Sequence, residues 1–360
     1  MDRAVFLDAS PLASRPLTGI GRYAARLALA LSQHQRVRFF TGGYEVVASD
    51  HLSWEQDQDL ARWARAVWKG QRIALEPPKG AVGVYPGPRD ANRRFPVEVG
   101  ILYDFTPLIL PGTHAHETKQ TFSRFFAEGL LANDRVLAIS RATQADSLWL
   151  SDLPRERISV EYPGPSLCVE KHLDASIVKR DERLILSVST LEPRKNAGFL
   201  FDWFARTEVL APDAELWWVG PIGWLTSRRT LKRFQRASSR RIRFLGMVSD
   251  AALCRLYRRA GLTIYPSLYE GFGFPVLDSL RHGAPVLTSQ NSSLCEFTVP
   301  GVTFFDPCDP STVDNAWRSS RTSESIDLGG LEHLYSWDRV ATAVLGVDWV
   351  AKTVELRVSA

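Results

Sequence analysis

Short apolar runs alternate with amphipathic segments along most of the chain, which is the pattern of an α/β protein with parallel sheets. Runs of apolar residues predict buried strands, and apolar positions three and four residues apart predict helices. In the first half the pattern predicts strands over 3–8, 36–41, 97–103 and 135–139, and helices over 19–33, 58–70 and 141–150. Ser140 stands where a helix N-cap is expected.

The alternation stops over 162–181, which begins with Pro163-Gly164-Pro165, and then restarts. After the break the pattern predicts strands over 183–189, 215–219, 242–245, 262–266 and 285–288, and helices over 196–207, 226–237, 250–259 and 275–282. A turn-rich break between two such series indicates a domain boundary. We therefore predict Rossmann-like domains over 1–165 and 166–340, and a C-terminal helix in 341–360 that packs back on the first domain.

The composition excludes several classes of protein. Hydrophobic residues make up 45% and charged residues 23% of 360, which is typical of a globular chain. The 44 basic and 40 acidic residues are too balanced to indicate nucleic-acid binding. The four cysteines include no Cys-x-x-Cys pair, so neither a zinc ribbon nor a dithiol motif is expected. Without a signal peptide or a membrane-spanning run, we expect a cytoplasmic protein and leave open a peripheral membrane contact.

The segment 265–278 reads YPSLYEGFGFPVLD and predicts an anion site. A strand ends near its start, a loop carries two glycines, and a helix opens at Pro275. Glycines allow backbone amides to approach a ligand, and a helix N-terminus favours a diphosphate. Glu270 and Asp278 flank this loop, so both carboxylates are candidates for binding sugar hydroxyls or a ribose. The predicted amide donors lie in Gly271, Phe272, Gly273 and Phe274.

A second candidate follows the first strand of the second domain, where residues 189–196 read STLEPRKN. Arg194 and Lys195 stand at a strand-to-helix junction. Adjacent cations at a helix N-terminus oppose the helix dipole, which favours a bound anion there. Cations in this position stabilise a departing phosphate. Thr190 precedes them in the same loop.

Two features of the first domain extend the predicted site. Gly19 and Gly21 lie in a Thr18-Gly-Ile-Gly opening of the first helix. The segment lacks the third glycine of a dinucleotide fingerprint and the acidic residue at the end of the next strand, which argues against a dehydrogenase. Asp104 ends the strand over 97–103, and either a role at the cleft or a cap on the following turn fits its position.

Other charged and aromatic groups are given a structural interpretation. Asp57-Gln-Asp59 has the spelling of a metal motif, but it precedes a helix and is read as its acidic first turn. His114 and His116 have no partner set for a metal, so we expect both to face solvent. The tryptophans 54, 63 and 68 are assigned to core packing, with a membrane interface as the alternative. The eight cations of 228–243 are read as a solvated helix face, with contact to an anionic lipid or a nucleotide as the alternative.

Taken together, EPRKN and YPSLYEGFGFPVLD resemble glycosyltransferase family 4, which contains retaining enzymes of the GT-B fold. Further similar pieces are Gly220–Trp224, Arg243–Asp250, His282–Val286 and Ser292–Glu296. The resemblance is strong over 185–310 and looser in the first half. The family has a glutamate where this chain has Asp278.

The resemblance implies two Rossmann-like domains facing across a cleft, with Glu270, Arg194, Lys195 and Asp104 as catalytic groups. It implies donor contacts from Asp278, Thr190, Gly220 and the glycine loops. The implied reaction moves mannose or a deoxymannose such as rhamnose from a nucleotide-diphosphate sugar to a lipid-linked saccharide of a cell-surface polysaccharide, without cofactor, metal or nucleic acid. The alternatives are a degenerate sugar-nucleotide-binding subunit and a GT-B epimerase or phosphorylase.

Overall fold

A computed structural model describes residues 3–48, 59–166, 179–224, 228–320 and 326–346. Within these ranges the chain forms two sheets with helices around them, and each sheet is built from one half of the chain. The α/β architecture with two sheet-containing domains that the sequence predicts is confirmed.

The first sheet has eight strands in the order β4-β3-β2-β1-β5-β6-β7-β8. Strand β1 pairs parallel with β2 and with β5, and the pairs β5–β6, β6–β7 and β7–β8 are also parallel. At one edge of the sheet, β3 pairs antiparallel with both β2 and β4. The strands are β1 Val5–Asp8, β2 Val37–Thr41, β3 Tyr44–Val47, β4 Gln71–Ala74, β5 Val82–Tyr85, β6 Val97–Leu102, β7 Arg135–Ala138 and β8 Ile158–Val160. The accompanying helices are α1 Gly19–Ser32, α2 Leu60–Trp68, α3 Thr106–Ile109, α4 His116–Arg124 and α5 Arg141–Leu150.

The second sheet has six parallel strands in the order β11-β10-β9-β12-β13-β14. They are β9 Asp181–Val188, β10 Glu215–Val219, β11 Arg241–Gly246, β12 Ala260–Tyr265, β13 Val286–Ser289 and β14 Val302–Phe305. The helices are α6 Ala197–Arg206, α7 Arg228–Ala237, α8 Asp250–Arg259, α9 Phe274–Arg281, α10 Pro310–Ser320, α11 Leu328–Leu334 and α12 Trp337–Leu345. Because β9 and β12 are neighbours, the loops that follow them lie side by side.

Every strand and helix that the alternating pattern predicts is present, with ends that differ by a few residues. Ser140 caps α5 by accepting a hydrogen bond from the Thr143 amide. The pattern misses β3, β4 and β5, which are four residues each in a segment rich in glycine and proline. It also misses the strands β8 and β14 and the helices α3, α4, α10 and α11. Strand β4 also lies at the sheet edge with all four residues exposed, so it carries no apolar signal.

Apolar contacts join the two halves. One continuous core contains Tyr23 of α1, Phe272 and Val276 beside the second sheet, and Val340 of α12. The terminal helix α12 begins at Trp337, before the predicted 341, and packs against α1. The predicted end of that helix, 347–360, lies outside the described residues.

The chain crosses between the two halves at two points that touch each other. The indole N–H of Trp337 donates to the Pro165 carbonyl at 2.8 Å. A Cβ at Gly164 would lie only 2.4 Å from the Trp337 ring, so the two crossings are in close contact. No helix in the described ranges is long and apolar enough to span a membrane.

Candidate active site

A buried cluster of ion pairs lies between the loops that follow β9 and β12. Arg194 donates to Glu270 Oε2 at 2.8 Å, and Lys195 Nζ donates to Glu270 Oε1 at 2.6 Å. Glu270 is 6% exposed and Lys195 9% exposed. The Tyr265 hydroxyl donates to Glu270 Oε1 at 2.9 Å, and Glu192 pairs with Arg194 at 3.0 Å. The two cations that were predicted to hold an anion therefore hold this carboxylate.

The sequence brings these side chains together through adjacent strands. Pro193–Lys195 forms a 3-10 turn after β9, and the Leu268 amide donates to the Arg194 carbonyl at 2.9 Å. Asn196 has a left-handed φ of 53°, which ends that turn and starts α6. The carboxyl ends of neighbouring parallel strands are where open α/β sheets bind ligands.

Burial and the neighbouring charges shift the pKa of Glu270 in opposite directions. Burial favours the neutral form of Glu270, but Arg194 and Lys195 outweigh it and lower the pKa of Glu270 to about 2. Burial and the neighbouring Arg194 lower the pKa of Lys195, although Glu270 opposes them. Burial raises the pKa of Glu192. The arrangement keeps a carboxylate charged between two cations.

The glycine loop lies against the first domain. A Cβ at Gly271 would lie 2.0 Å from the Tyr103 carbonyl oxygen, so only glycine fits there. Gly273 has a φ of 119° and forms the N-cap of α9, directly before Phe274. The Phe272 ring is buried against Phe297 and Tyr335, so its side chain belongs to the core and only its backbone is available to a ligand.

Asp278 is 3% exposed in the first turns of α9. Its Oδ1 accepts from the Ser166 amide at 2.9 Å, and its Oδ2 accepts from the Ser166 hydroxyl. The shorter aspartate thus reaches the segment that links the domains.

The predicted glycines of the first domain lie at the start of α1. Thr18 caps α1 through the Gly21 amide at 3.1 Å, and a Cβ at Gly21 would lie 2.7 Å from the Pro11 carbonyl oxygen. Gly19 has open space around its Cα. Just beyond, Arg22 forms a two-fold ion pair with Asp250 of the second domain at 2.7 and 2.8 Å. The glycine pair therefore starts a helix that contacts the other domain.

Asp104 caps the turn that follows β6, and it also lies in a cavity wall. Its Oδ1 accepts from the Thr106 amide at 2.9 Å and from the Thr106 hydroxyl at 2.6 Å, which caps the turn into α3. It also lines a cavity of about 490 Å³, together with Arg194, His114 and Trp224. We call this space the His114 cavity.

A second cavity, of about 760 Å³, lies in the second domain and is lined by Gly220, Leu191, Phe244, Lys232 and Gln235. We call it the Gly220 cavity. The Leu191 amide donates to the Pro221 carbonyl at 2.8 Å, which places the Thr190 loop beside Gly220. A Cβ at Gly220, whose φ is 140°, would lie 2.0 Å from the Ser189 carbonyl oxygen.

Glu296 joins the domains on another side of the cleft. It accepts from the Arg141 and Ala142 amides at 3.0 and 2.8 Å and from the Tyr162 hydroxyl at 2.6 Å. A carboxylate from the second domain thus caps the N-terminus of α5 in the first.

One structural interpretation from the sequence is wrong. His116 is exposed as expected, but His114 is buried, because Trp224 of the second domain covers it at 6.1 Å between ring centroids. Among the described residues, no three or more histidine, cysteine, aspartate or glutamate side chains are grouped to hold a metal ion.

Other structural interpretations are refined. Trp63 belongs to the core, as expected, whereas Trp54 lies outside the described residues. Asp59 caps α2 through the Arg62 amide, and Asp57 also lies outside them. In the cationic stretch, Arg240 is not part of a solvated face, because it donates to four backbone carbonyls.

Sequence reasoning did not single out Tyr265, Glu192, His114, Trp224 or Glu296 as functional residues. Tyr265, Glu192, Trp224 and Glu296 stand inside the quoted motifs, so their presence there was an available signal. Nothing in the sequence around His114 indicates burial.

Comparisons with known proteins bear on the fold and the class of protein. Residues 169–319 match the family model of the glycosyl transferases group 1. The chain is 24% identical over 375 residues to the O-antigen chain mannosyltransferase B of Escherichia coli, covering 92% of this chain and 95% of that protein.

Solved structures with this fold include WaaG, a glycosyltransferase involved in lipopolysaccharide biosynthesis, with a TM-score of 0.59, 16% identity and coverage of 99% and 100%. Another is HepE of Anabaena in complex with UDP-glucose, with a TM-score of 0.61, 15% identity and coverage of 98% and 99%. The chain is therefore a glycosyltransferase of the GT-B fold. Its second domain carries the match to the group 1 family.

Proposed function

We propose that this glycosyltransferase moves a hexose from a nucleotide-diphosphate sugar to a hydroxyl of a lipid-linked saccharide during synthesis of a cell-surface polysaccharide. Mannose, or a deoxymannose such as rhamnose, is the proposed sugar. The similarity to an O-antigen mannosyltransferase over nearly the whole chain supports this choice. The observation that carries the proposal is the buried cluster of Glu270, Arg194 and Lys195 at the cleft.

The cluster accounts for the chemistry that such a transfer requires. The bond between the anomeric carbon and the diphosphate breaks, and negative charge develops on the departing nucleotide diphosphate. Arg194 and Lys195 are positioned to stabilise that charge, which is the largest contribution in many transfer reactions. In the proposed complex they turn toward the diphosphate, and Glu270 then accepts from hydroxyls of the donor sugar. Since the two cations supply the charge, we propose a reaction that needs no metal.

The donor is proposed to lie across the second domain. The Gly220 cavity is large enough for a nucleoside, and Lys232 and Gln235 supply polar groups at its wall. Asp278 and Thr190 are proposed to contact the ribose and the diphosphate. Transfer with retention of the anomeric configuration is part of the proposal, with the departing phosphate taking the proton of the acceptor hydroxyl.

A lipid-linked acceptor implies work at the cytoplasmic face of the inner membrane, where we propose a peripheral contact. Trp149 of the first domain is 81% exposed, and such a side chain suits a membrane interface. Sedimentation with vesicles of anionic phospholipid is expected to carry down the wild type and less of Trp149→Ser. Equal sedimentation of both would contradict a role for this residue.

The function is tested with purified chain, GDP-mannose, GDP-rhamnose and dTDP-rhamnose as donors, and octyl α-D-mannoside as acceptor in EDTA. Mass spectrometry is expected to find one disaccharide product, and proton NMR to find the donor configuration retained. Lys195→Ala and Glu270→Ala are expected to lose product by at least about 100-fold. Glu208→Ala, on the surface of the same domain, is the matched control.

Three outcomes would decide against this reading. Unchanged product formation in Lys195→Ala would favour the non-catalytic subunit. Consumption of the donor to an epimer or a sugar phosphate without acceptor would favour the epimerase or phosphorylase. Loss of all activity in EDTA with recovery on adding Mg²⁺ would contradict the metal-independent mechanism.

A further inference from the structure

His114 is a buried imidazole without hydrogen bonds. It is 8% exposed, yet neither Nδ1 nor Nε2 has a partner among the described residues. A buried polar group without a partner destabilises the folded chain unless a ligand or water completes it. Since His114 lines the His114 cavity, a molecule in that cavity is in position to complete it.

The cavity combines an apolar wall with a few polar groups. Its apolar lining includes Ile20, Leu102, Pro107, Phe122, Phe125 and Trp224. Asp104 and Arg194 line the same cavity, and Arg194 is bonded to Glu270. The cavity therefore adjoins the ion cluster, and a molecule bound in it would present groups to the reacting centre.

The second domain completes the cavity. The Trp224 indole N–H donates to the Thr113 carbonyl at 2.7 Å, next to His114 in sequence. All other lining residues except Arg194 come from the first domain. The residues proposed to bind the sugar donor come mostly from the second domain. The donor and a molecule in the His114 cavity would therefore be bound mainly by different domains.

A neutral sugar matches these groups. A neutral imidazole offers one donor and one acceptor, and a hydroxyl both donates and accepts. Burial and the nearby Arg194 lower the pKa of His114, which keeps the ring neutral at physiological pH. Aromatic side chains such as Phe122 and Trp224 offer apolar surface to the C–H face of a sugar ring.

We propose that the His114 cavity binds the terminal sugar of the saccharide acceptor, and that His114 hydrogen-bonds one of its hydroxyls. This inference rests on the proposed function and adds an acceptor-binding residue to it. His114 orients the acceptor toward Asp104 and the donor and takes no part in bond breaking.

The test compares His114→Ala with His116→Ala in the transfer assay with GDP-mannose and octyl α-D-mannoside. His116 is exposed two residues away and serves as the matched control. We expect His114→Ala to raise the acceptor KM about tenfold, the effect of one hydrogen bond, and to leave the donor KM unchanged. His114→Asn, which keeps a donor and an acceptor, is expected to recover part of the loss.

Thermal unfolding of the same variants separates a binding role from a structural one. His114→Ala also loses the packing of a buried ring near Trp224, so stability is compared in His114→Asn. Because His114 has no hydrogen-bond partner among the described residues, His114→Asn is expected to unfold close to the wild-type temperature. A much lower unfolding temperature of His114→Asn, an unchanged acceptor KM in His114→Ala, or a rise in the donor KM alone would overturn the inference.

Binding without turnover keeps this inference distinct from the proposed function. Saturation-transfer NMR with octyl α-D-mannoside is expected to show contact with the wild type and a weaker signal with His114→Ala. If the wild type binds the mannoside in this way but transfers no sugar, the proposed function fails and the acceptor site stands. If product forms and the His114 variant binds and reacts normally, the acceptor site fails alone.

Discussion

Replacing Glu270 by glutamine keeps the size of the side chain and removes its charge from the centre of the ion cluster. Arg194 and Lys195 would then share only Glu192 and the more distant Asp104 as counter-charges. Removing one partner of a buried ion pair typically costs about 3–5 kcal/mol, because the other charge stays buried without compensation. Glu192 remains to offset part of this, so the lower end of the range is expected.

The lowered pKa of Glu270 reflects the same ion pairs. Its pKa is about 2, against an ordinary value of 4.5. At about 1.36 kcal/mol for each pKa unit, the folded protein favours the charged form by roughly 3 kcal/mol. Because the folded pKa is lowered, this stabilisation is fully present above pH 4.5 and is lost as the pH falls toward 2. This is of the same order as the cost of removing the charge by substitution.

Urea denaturation at pH 7 and at pH 3 measures the effect. Glu270→Gln is expected to lower the free energy of unfolding by about 3 kcal/mol at pH 7 and by less at pH 3. Adding GDP is expected to stabilise the variant more than the wild type, because the diphosphate then supplies the missing negative charge. Glu208→Gln, on an exposed surface, is expected to stay within about 0.5 kcal/mol of wild type. A Glu270→Gln midpoint equal to that of wild type at pH 7 would refute the reasoning.

Three further predictions concern contacts between the domains. Gly271→Ala is expected to lower transfer on the order of 100-fold, since its Cβ would lie 2.0 Å from the Tyr103 carbonyl oxygen, while Gly112→Ala, which meets nothing within 4 Å, leaves kcat unchanged. Glu296→Gln is expected to speed hydrogen exchange of the two capped amides at the start of α5 about tenfold, and unchanged protection would contradict the cap. Trp224→Phe keeps an aromatic ring but loses the hydrogen bond to the Thr113 carbonyl of the first domain, so the acceptor KM is expected to rise roughly fivefold; an unchanged acceptor KM would show that this bond does not support the cavity.

The alternating pattern carries most of the fold because buried parallel strands are continuous apolar runs. Strand β12 is buried at all six positions and was predicted almost to its ends. Strand β4 is exposed at all four positions and was missed. What decides its place in the sheet is the antiparallel pairing with β3, which precedes α2 in the chain. Local periodicity does not reveal such a contact between separate segments.

In the candidate site, too, residues within motifs were predicted, whereas contacts between distant segments were not. Arg194, Lys195 and Glu270 stand in motifs whose composition indicates an anion site, and each was singled out. Glu270 pairs with both cations because β9 and β12 are neighbours in the sheet. The sequence of either segment alone does not predict that these strands are adjacent. His114 lies in a polar stretch, and its burial comes from Trp224, a residue of the other domain. Burial by a residue distant in sequence cannot be predicted from the residues that neighbour His114 in the chain.

The two crossings of the chain between domains, at Pro165 and Trp337, touch each other. Because both crossings meet at Gly164 and Trp337, the two domains are held together most closely there. A relative motion of the domains would have to break the contacts across the cleft, such as Arg22 with Asp250, and would pivot about the place where the crossings meet.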